Sequence, residues 1–163
     1  MNSFLLNWAI FIFMAGLILS LPLGAVFYLK NIQLNDFFTN PRKLKAAHLD
    51  YIMQAFSIGL VLLLEFTMNI ELPLYMVIPL EFGTFCNPFI FLLEATPLYK
   101  AGVSKIIYRI LKVLSPVSLF FAWIAIMITS LPAYISWMLL FFALMLGFGI
   151  ITNKKKLTII TKG

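Results

Sequence analysis

The sequence predicts an all-α integral membrane protein, a bundle of four to five transmembrane helices, read here as five. Three observations predict it. The 163 residues are 63% hydrophobic and only 11% charged, whereas a soluble domain is about half apolar and about a quarter charged. The apolar residues come in runs of about 20 or more, the length that crosses a hydrocarbon layer of roughly 30 Å. The 12 Lys and Arg, against 6 Asp and Glu, sit in short clusters between those runs, as in the loops of a multi-pass protein. Cations dispersed in this way do not form one basic face, so the expected partner is the lipid bilayer and not a nucleic acid. A single Cys, Cys86, allows neither an internal disulfide nor a Cys-rich metal site.

The first helix is expected over about 5–29, an uncharged run closed by Lys30. A secretory signal is the competing reading, but no positive stretch precedes the run. Pro22 and Gly24 interrupt it, which a bilayer tolerates where neighbours take up the freed carbonyl. The connection from Lys30 to Lys45 is basic, carrying Lys30, Arg42, Lys43 and Lys45 against Asp36. The second helix is expected over about 46–69 and the third over about 72–93, joined by a short link containing Glu71. Thr96 to Lys112 is again a basic connection, with Lys100, Lys105, Arg109 and Lys112. The apolar stretch from Val113 to Thr152 would make a helix of about 60 Å, twice a bilayer core, so it must fold back. Ser130-Leu131-Pro132 is the turn, giving a fourth helix over about 113–131 and a fifth over about 133–152, stopped by Lys154, Lys155 and Lys156.

The basic first and third connections and the basic C-terminal end place those segments in the cytoplasm, with the N-terminus outside. The expected location is therefore the cell inner membrane, multi-pass, with a cytoplasmic C-terminus. No repeat, linker or low-complexity tract divides the chain, so one domain over 1–163 is expected.

Ionisable groups at membrane depth are costly and tend to be functional. The second helix carries the only histidine, His48, with Asp50, Gln54, Ser57 and Glu65. At about 100° per residue, His48, Ile52, Ala55, Gly59 and Leu62 share one stripe. Asp50, Gln54, Ser57, Val61 and Glu65 share another, nearly opposite. The first is a potential ligand followed by small residues, where a flat group or a neighbouring helix comes close; small residues on membrane helices are commonly packing surfaces. The second must meet protein, water or a cofactor. The third helix adds Glu81, Gly83, Thr84, Cys86 and Asn87, with Pro88 crowding the carbonyl of Thr84. Glu65 and Glu81 either pair with each other or line a proton or ion path, and Cys86 reads as a small buried hydrophobe.

The stretch Thr39-Asn40-Pro41-Arg42-Lys43-Leu44-Lys45-Ala46-Ala47-His48-Leu49-Asp50, running on to Gln54, resembles the start of the second helix in membrane hydroxylaminobenzene mutases. Those proteins read Asn-Pro-Arg, a short gap, Ala/Ser-His-Leu-Glu, and Asn six residues after the His. Gly83-Thr84-Phe85-Cys86-Asn87 and Leu92-Leu93-Glu94-Ala95 look like the family's third-helix motifs, which the related styrene oxide isomerases share at the Gly and Asn. The resemblance covers about 39–99. It implies an oligomeric isomerase, trimeric in the styrene oxide case, in which haem b lies between subunits and its ferric iron acts as a Lewis acid on a small apolar or aromatic epoxide or hydroxylamine. It makes His48 the iron ligand, and Ala55 and Gly59 the small residues on which the porphyrin lies. Arg42 and Lys45 become partners of the propionates, and Asn87, Gln54 and Asp50 the polar groups at the substrate. The chain departs from the family at Gln54 (an Asn there), at Asp50 (a Glu in the mutases) and at Phe91, which stands where the styrene oxide enzymes have Tyr. The fifth helix and the inferred orientation depart as well. Beside this reading stand a non-enzymatic membrane haem-binding or accessory protein, and a small transporter or channel component using Asp50, Glu65 and Glu81.

Overall fold

The computed structural model describes residues 3–100 and 102–160. Residues 1–2, 101 and 161–163, which belong to the expected single domain, lie outside the described residues. The described chain is all α-helical, without strands, and four of its helices are long and apolar enough to cross a membrane. It is a multi-pass membrane bundle. Its residues fall into two compact units, 1–124 and 125–163.

In the first unit, α1 spans Ser3–Phe27 and turns Leu5, Ala9, Ile12 and Gly16 inward at helical spacing. A short helix, α2 (Ile32–Phe37), starts where the Asn31 side chain accepts the amide of Leu34 at 3.2 Å. Phe38 then packs with Val26, Leu44 and Ala95, which fixes this connection against the ends of three helices.

The next helix, α3, spans Pro41–Met68. It begins five residues earlier than the hydropathy run, because Asn40 caps it through the amide of Lys43 and Pro41 occupies the first turn, where no amide donor is needed. The basic segment 41–45, expected in a connection, is therefore helical. The helix ends at Asn69, whose left-handed backbone (φ 50°) Asn tolerates. There Ile70 donates its amide to the Glu65 carbonyl at 3.1 Å, and Leu72 donates its own to Glu65 Oε1 at 2.9 Å.

Helix α4 (Leu74–Ala95) returns antiparallel to α3, and the amide of Asn40 donates to the carbonyl of Ala95 at 3.1 Å. A 3₁₀ turn, Pro97–Lys100, follows. Helix α5 spans Gly102–Ser130, so residues 102–112 are helical and extend the expected fourth helix by three turns. Gly102 opens this segment in a left-handed conformation (φ 62°).

Lipid tails are as apolar as leucine, so burial alone adds little between membrane helices. Close packing and interhelical hydrogen bonds carry the association. Two glycines permit it. A Cβ on Gly16 would lie 3.0 Å from Ile52 Cγ1, and one on Gly83 only 2.7 Å from Leu119 Cβ, with the Leu119 backbone at 3.0 Å. Beside the second contact, buried Ser115 donates its hydroxyl to the Gly83 carbonyl at 3.3 Å.

The second unit holds the end of α5, the turn and α6 (Ala133–Ile160). The turn falls at Ser130-Leu131-Pro132 as expected, with the Leu131 amide on Met127 O and the Ile135 amide on Pro132 O. The fifth apolar helix is thus present, and its backbone continues through Lys154, Lys155 and Lys156. Trp137, Met138, Phe141 and Phe142 are exposed on it, the surface expected of a helix meeting lipid.

Candidate functional site

The polar residues of α3 and α4 collect into two settings, because α3 lies between α1 and α4. His48 belongs to the α1 side. Its Nδ1 is 2.8 Å from the carbonyl oxygen of Gly16. A carbonyl only accepts, so Nδ1 carries a proton, and in the neutral imidazole the lone pair lies on Nε2. Gly16 makes the contact feasible: without a side chain there, α1 comes close enough for its backbone to meet the ring. The ring is half-buried.

The second setting lies on the α4 side. Asn87 Nδ2 donates to Asp50 Oδ2 at 2.9 Å, and Gln54 Nε2 donates to Asp50 Oδ1 at 3.2 Å. Ser57 donates to the Gln54 backbone carbonyl at 2.8 Å. Each carboxylate oxygen of Asp50 thus receives one amide, and the three residues expected at a substrate come together as one hydrogen-bonded group. The amide oxygens of Gln54 and Asn87 remain as acceptors at its edge, that of Gln54 reached by Ser57 at 3.5 Å.

The stripe that carries His48 meets α1 at His48 and Ile52. Ile52 sits against Gly16, Ala55 is 7% exposed and Leu62 is buried, while the space beside Gly59 is open. Ala55 therefore serves the core of the chain; it lies on the flank of the stripe nearest the buried face centred on Tyr51 and Ile58. As a haem site these residues fit at two points. The tautomer of His48 is that of a metal-binding imidazole, whose second nitrogen commonly donates to a backbone carbonyl. Arg42 and Lys45 are exposed cations at the start of α3. A porphyrin lying on the whole stripe within one chain does not fit; the open ground is the outer surface around Gly59.

Among the described residues no three His, Cys, Asp or Glu gather as a metal cage. Cys86 is buried, as expected of a small hydrophobe. Glu65 and Glu81 take no shared bond: Glu65, 1% exposed, receives the Leu72 amide, while Glu81 Oε1 has no hydrogen-bond partner among the described residues.

Three features escaped sequence reasoning. Gly16, in an uncharged run, gave no sign that its carbonyl would hold the histidine. Trp8 donates its indole N–H to the Glu81 carbonyl at 3.2 Å and lies 3.4 Å from Thr84 Oγ1, tying α1 to α4. Glu94 forms an ion pair with Lys43 and accepts the Tyr108 hydroxyl at 2.6 Å, while Lys43 Nζ lies 4.8 Å from the centre of the Phe91 ring. Glu94, at the end of α4, thus meets the start of α3 through Lys43 and the first half of α5 through Tyr108. The signal for this last group was available, since one carboxylate stood among cations.

The fold and these polar settings define the class: an all-α, multi-pass membrane protein with a polar centre on its second and third spans. No protein-family model, curated protein or solved structure matches the chain.

Proposed function

We propose that the chain is the protomer of a haem b-dependent membrane isomerase or mutase, acting on a small apolar or aromatic epoxide or hydroxylamine. The observation that supports it is the hydrogen bond from His48 Nδ1 to Gly16 O, which orients Nε2, the lone-pair nitrogen of the neutral imidazole. On this reading His48 would hold the iron, and Arg42 and Lys45 would pair with the propionates. The bound haem supplies a Lewis-acidic iron.

The chain's own residues then bind and orient. Asn87 and Gln54, each held by Asp50, present amide groups whose positions are fixed before substrate arrives. Phe91 offers no hydroxyl in the position of the family's Tyr. His48 turns to α1 and Asp50 to α4, so one chain does not present both to the same ligand. The reading therefore calls for an oligomer, a homotrimer by the resemblance, in which the centre forms between copies. The cytoplasmic C-terminus and inner-membrane location follow from the basic connections.

The reading predicts that purified protein converts styrene oxide or phenylhydroxylamine to a rearranged isomer without added reductant. Haem-loaded protein that turns over neither, nor any related epoxide or hydroxylamine, contradicts the enzymatic part.

A second reading, a non-enzymatic membrane haem-binding or accessory protein, is favoured by how fully Asp50 is satisfied within the chain. Tight haem binding without turnover is its signature. The transport reading has less support, because Glu65 is engaged in closing the α3–α4 connection.

A further inference from the structure

The first three turns of α5 belong to neither polar setting. Residues 97–112 carry Lys100, Lys105, Arg109 and Lys112 and no acid. At about 100° per residue, Lys105, Arg109 and Lys112 fall within about 60° of arc on α5, and all three are exposed. Tyr108, Ser115 and Leu119 make contacts of this helix with α4, so the cationic stripe runs along the flank of that seam. Glu94, the carboxylate at the seam, is taken by Lys43 and by the Tyr108 hydroxyl. Lys112 donates to the Tyr108 oxygen at 3.2 Å, while Lys105 and Arg109 pair with no carboxylate among the described residues.

The same turns also show an apolar face. Val103, Ile106, Ile107 and Ile110 are exposed on the side away from the cations. A helix with these two faces belongs at the boundary where headgroups meet acyl chains. Its length agrees. The 29 residues of α5 make roughly 43 Å at 1.5 Å per residue, against about 30 Å of hydrocarbon, so even at a tilt of about 20° the basic end reaches the headgroups. Tyr99 and Tyr108, with ring centres 5.0 Å apart, stand at this end, where interfacial tyrosines are enriched.

Cations in a row beside an apolar face recognise a particular chemistry. A soluble anion or an acidic protein would use the charges and leave the isoleucines bare, whereas a phospholipid uses both. Lysine and arginine hold phosphate oxygens by charge-assisted hydrogen bonds. We infer that the first three turns of α5 are a binding surface for anionic phospholipid, with Lys105, Arg109 and Lys112 as counter-charges to the headgroup and Ile106 and Ile110 as the contact with the start of the acyl chains. The surface is independent of His48 and of the isomerase reading.

The test is calorimetric titration of the full-length protein in a neutral detergent with dioctanoyl phosphatidylglycerol as probe. Two comparison arms separate the sources of phosphate: dioctanoyl phosphatidylcholine, with the same chains and no net charge, and inorganic phosphate, with no chains. Saturable binding of phosphatidylglycerol, about tenfold or more tighter than phosphatidylcholine, is expected in the wild type, with inorganic phosphate weaker still. Arg109→Gln should lower the affinity for phosphatidylglycerol about fivefold, and Lys105→Gln, Arg109→Gln and Lys112→Gln together should abolish the preference. Lys30→Gln, which removes an exposed cation beyond the end of α1, should change it by less than about twofold. Equal affinity for the two lipids in the wild type, a preference that survives the triple change, or inorganic phosphate binding as tightly as phosphatidylglycerol overturns the proposal. So does a loss in Lys30→Gln as large as that in Arg109→Gln. Should the triple variant fail to fold, wild-type affinity in Arg109→Gln overturns it equally.

Discussion

Asn87 and Asp50 meet across the α3–α4 seam, the side-chain amide donating to the carboxylate at 2.9 Å, with Gln54 on the other carboxylate oxygen. The pair joins the two helices inside their spanning segments. Buried polar pairs between membrane helices contribute about 0.6 kcal/mol on average and up to about 1.7. A double-mutant cycle on Asp50→Ala and Asn87→Ala, read by detergent-induced unfolding, should return a coupling energy in that range. A coupling of zero would mean the two residues do not meet.

Gly16, Gly59 and Gly83 should respond differently to alanine. Gly83→Ala drives a Cβ to 2.7 Å from Leu119 Cβ and against its backbone, and should cost about 1–3 kcal/mol by overpacking. Gly16→Ala meets the movable Ile52 Cγ1 at 3.0 Å and should cost less. Gly59→Ala meets nothing within 4 Å and should be neutral or stabilising by up to about 1 kcal/mol through helix propensity. Unfolding midpoints of the three variants check the order.

Glu65 acts through its oxygen as an acceptor. Glu65→Gln keeps an oxygen for the Leu72 amide and should retain most of the stability, whereas Glu65→Ala orphans a buried donor and should cost about 1–3 kcal/mol. Equal losses in the two variants would show that the charge, not the hydrogen bond, matters.

Glu94 serves two partners, so its removal should exceed that of either one. Glu94→Ala is expected to destabilise more than Lys43→Ala or Tyr108→Phe alone. The Lys43 share should be small, about 1 kcal/mol or less, because the Lys43 side chain is 38% exposed and salt screens it.

The limits of the sequence reading follow from what hydropathy measures. Apolar runs located the spans and Pro132 located the last turn, because the cost of burying charge and backbone is local. The same reading started α3 at 46 and the fourth long helix at 113. It tracks contact with lipid, whereas Asn40-Pro41 and Gly102 decide where the helices begin. Periodicity separated the His48 stripe from the Asp50 stripe, and the structure assigns them to α1 and α4. Which helix each would meet depended on the relative depth of Gly16 and Asn87, a relation no single segment encodes. Ala55 shows the same limit from the other side. Its place on the His48 stripe was legible, but its burial, at 7% exposed, depends on tertiary packing that periodicity does not carry.

Haem ligation by His48 is the central claim, and the absorption spectrum of the protein purified from haem-replete cells tests it most directly. A Soret band in the wild type, lost in His48→Ala while the variant keeps its helical content, is the predicted result. A folded wild type without a Soret band, or one whose band survives in His48→Ala, would contradict it.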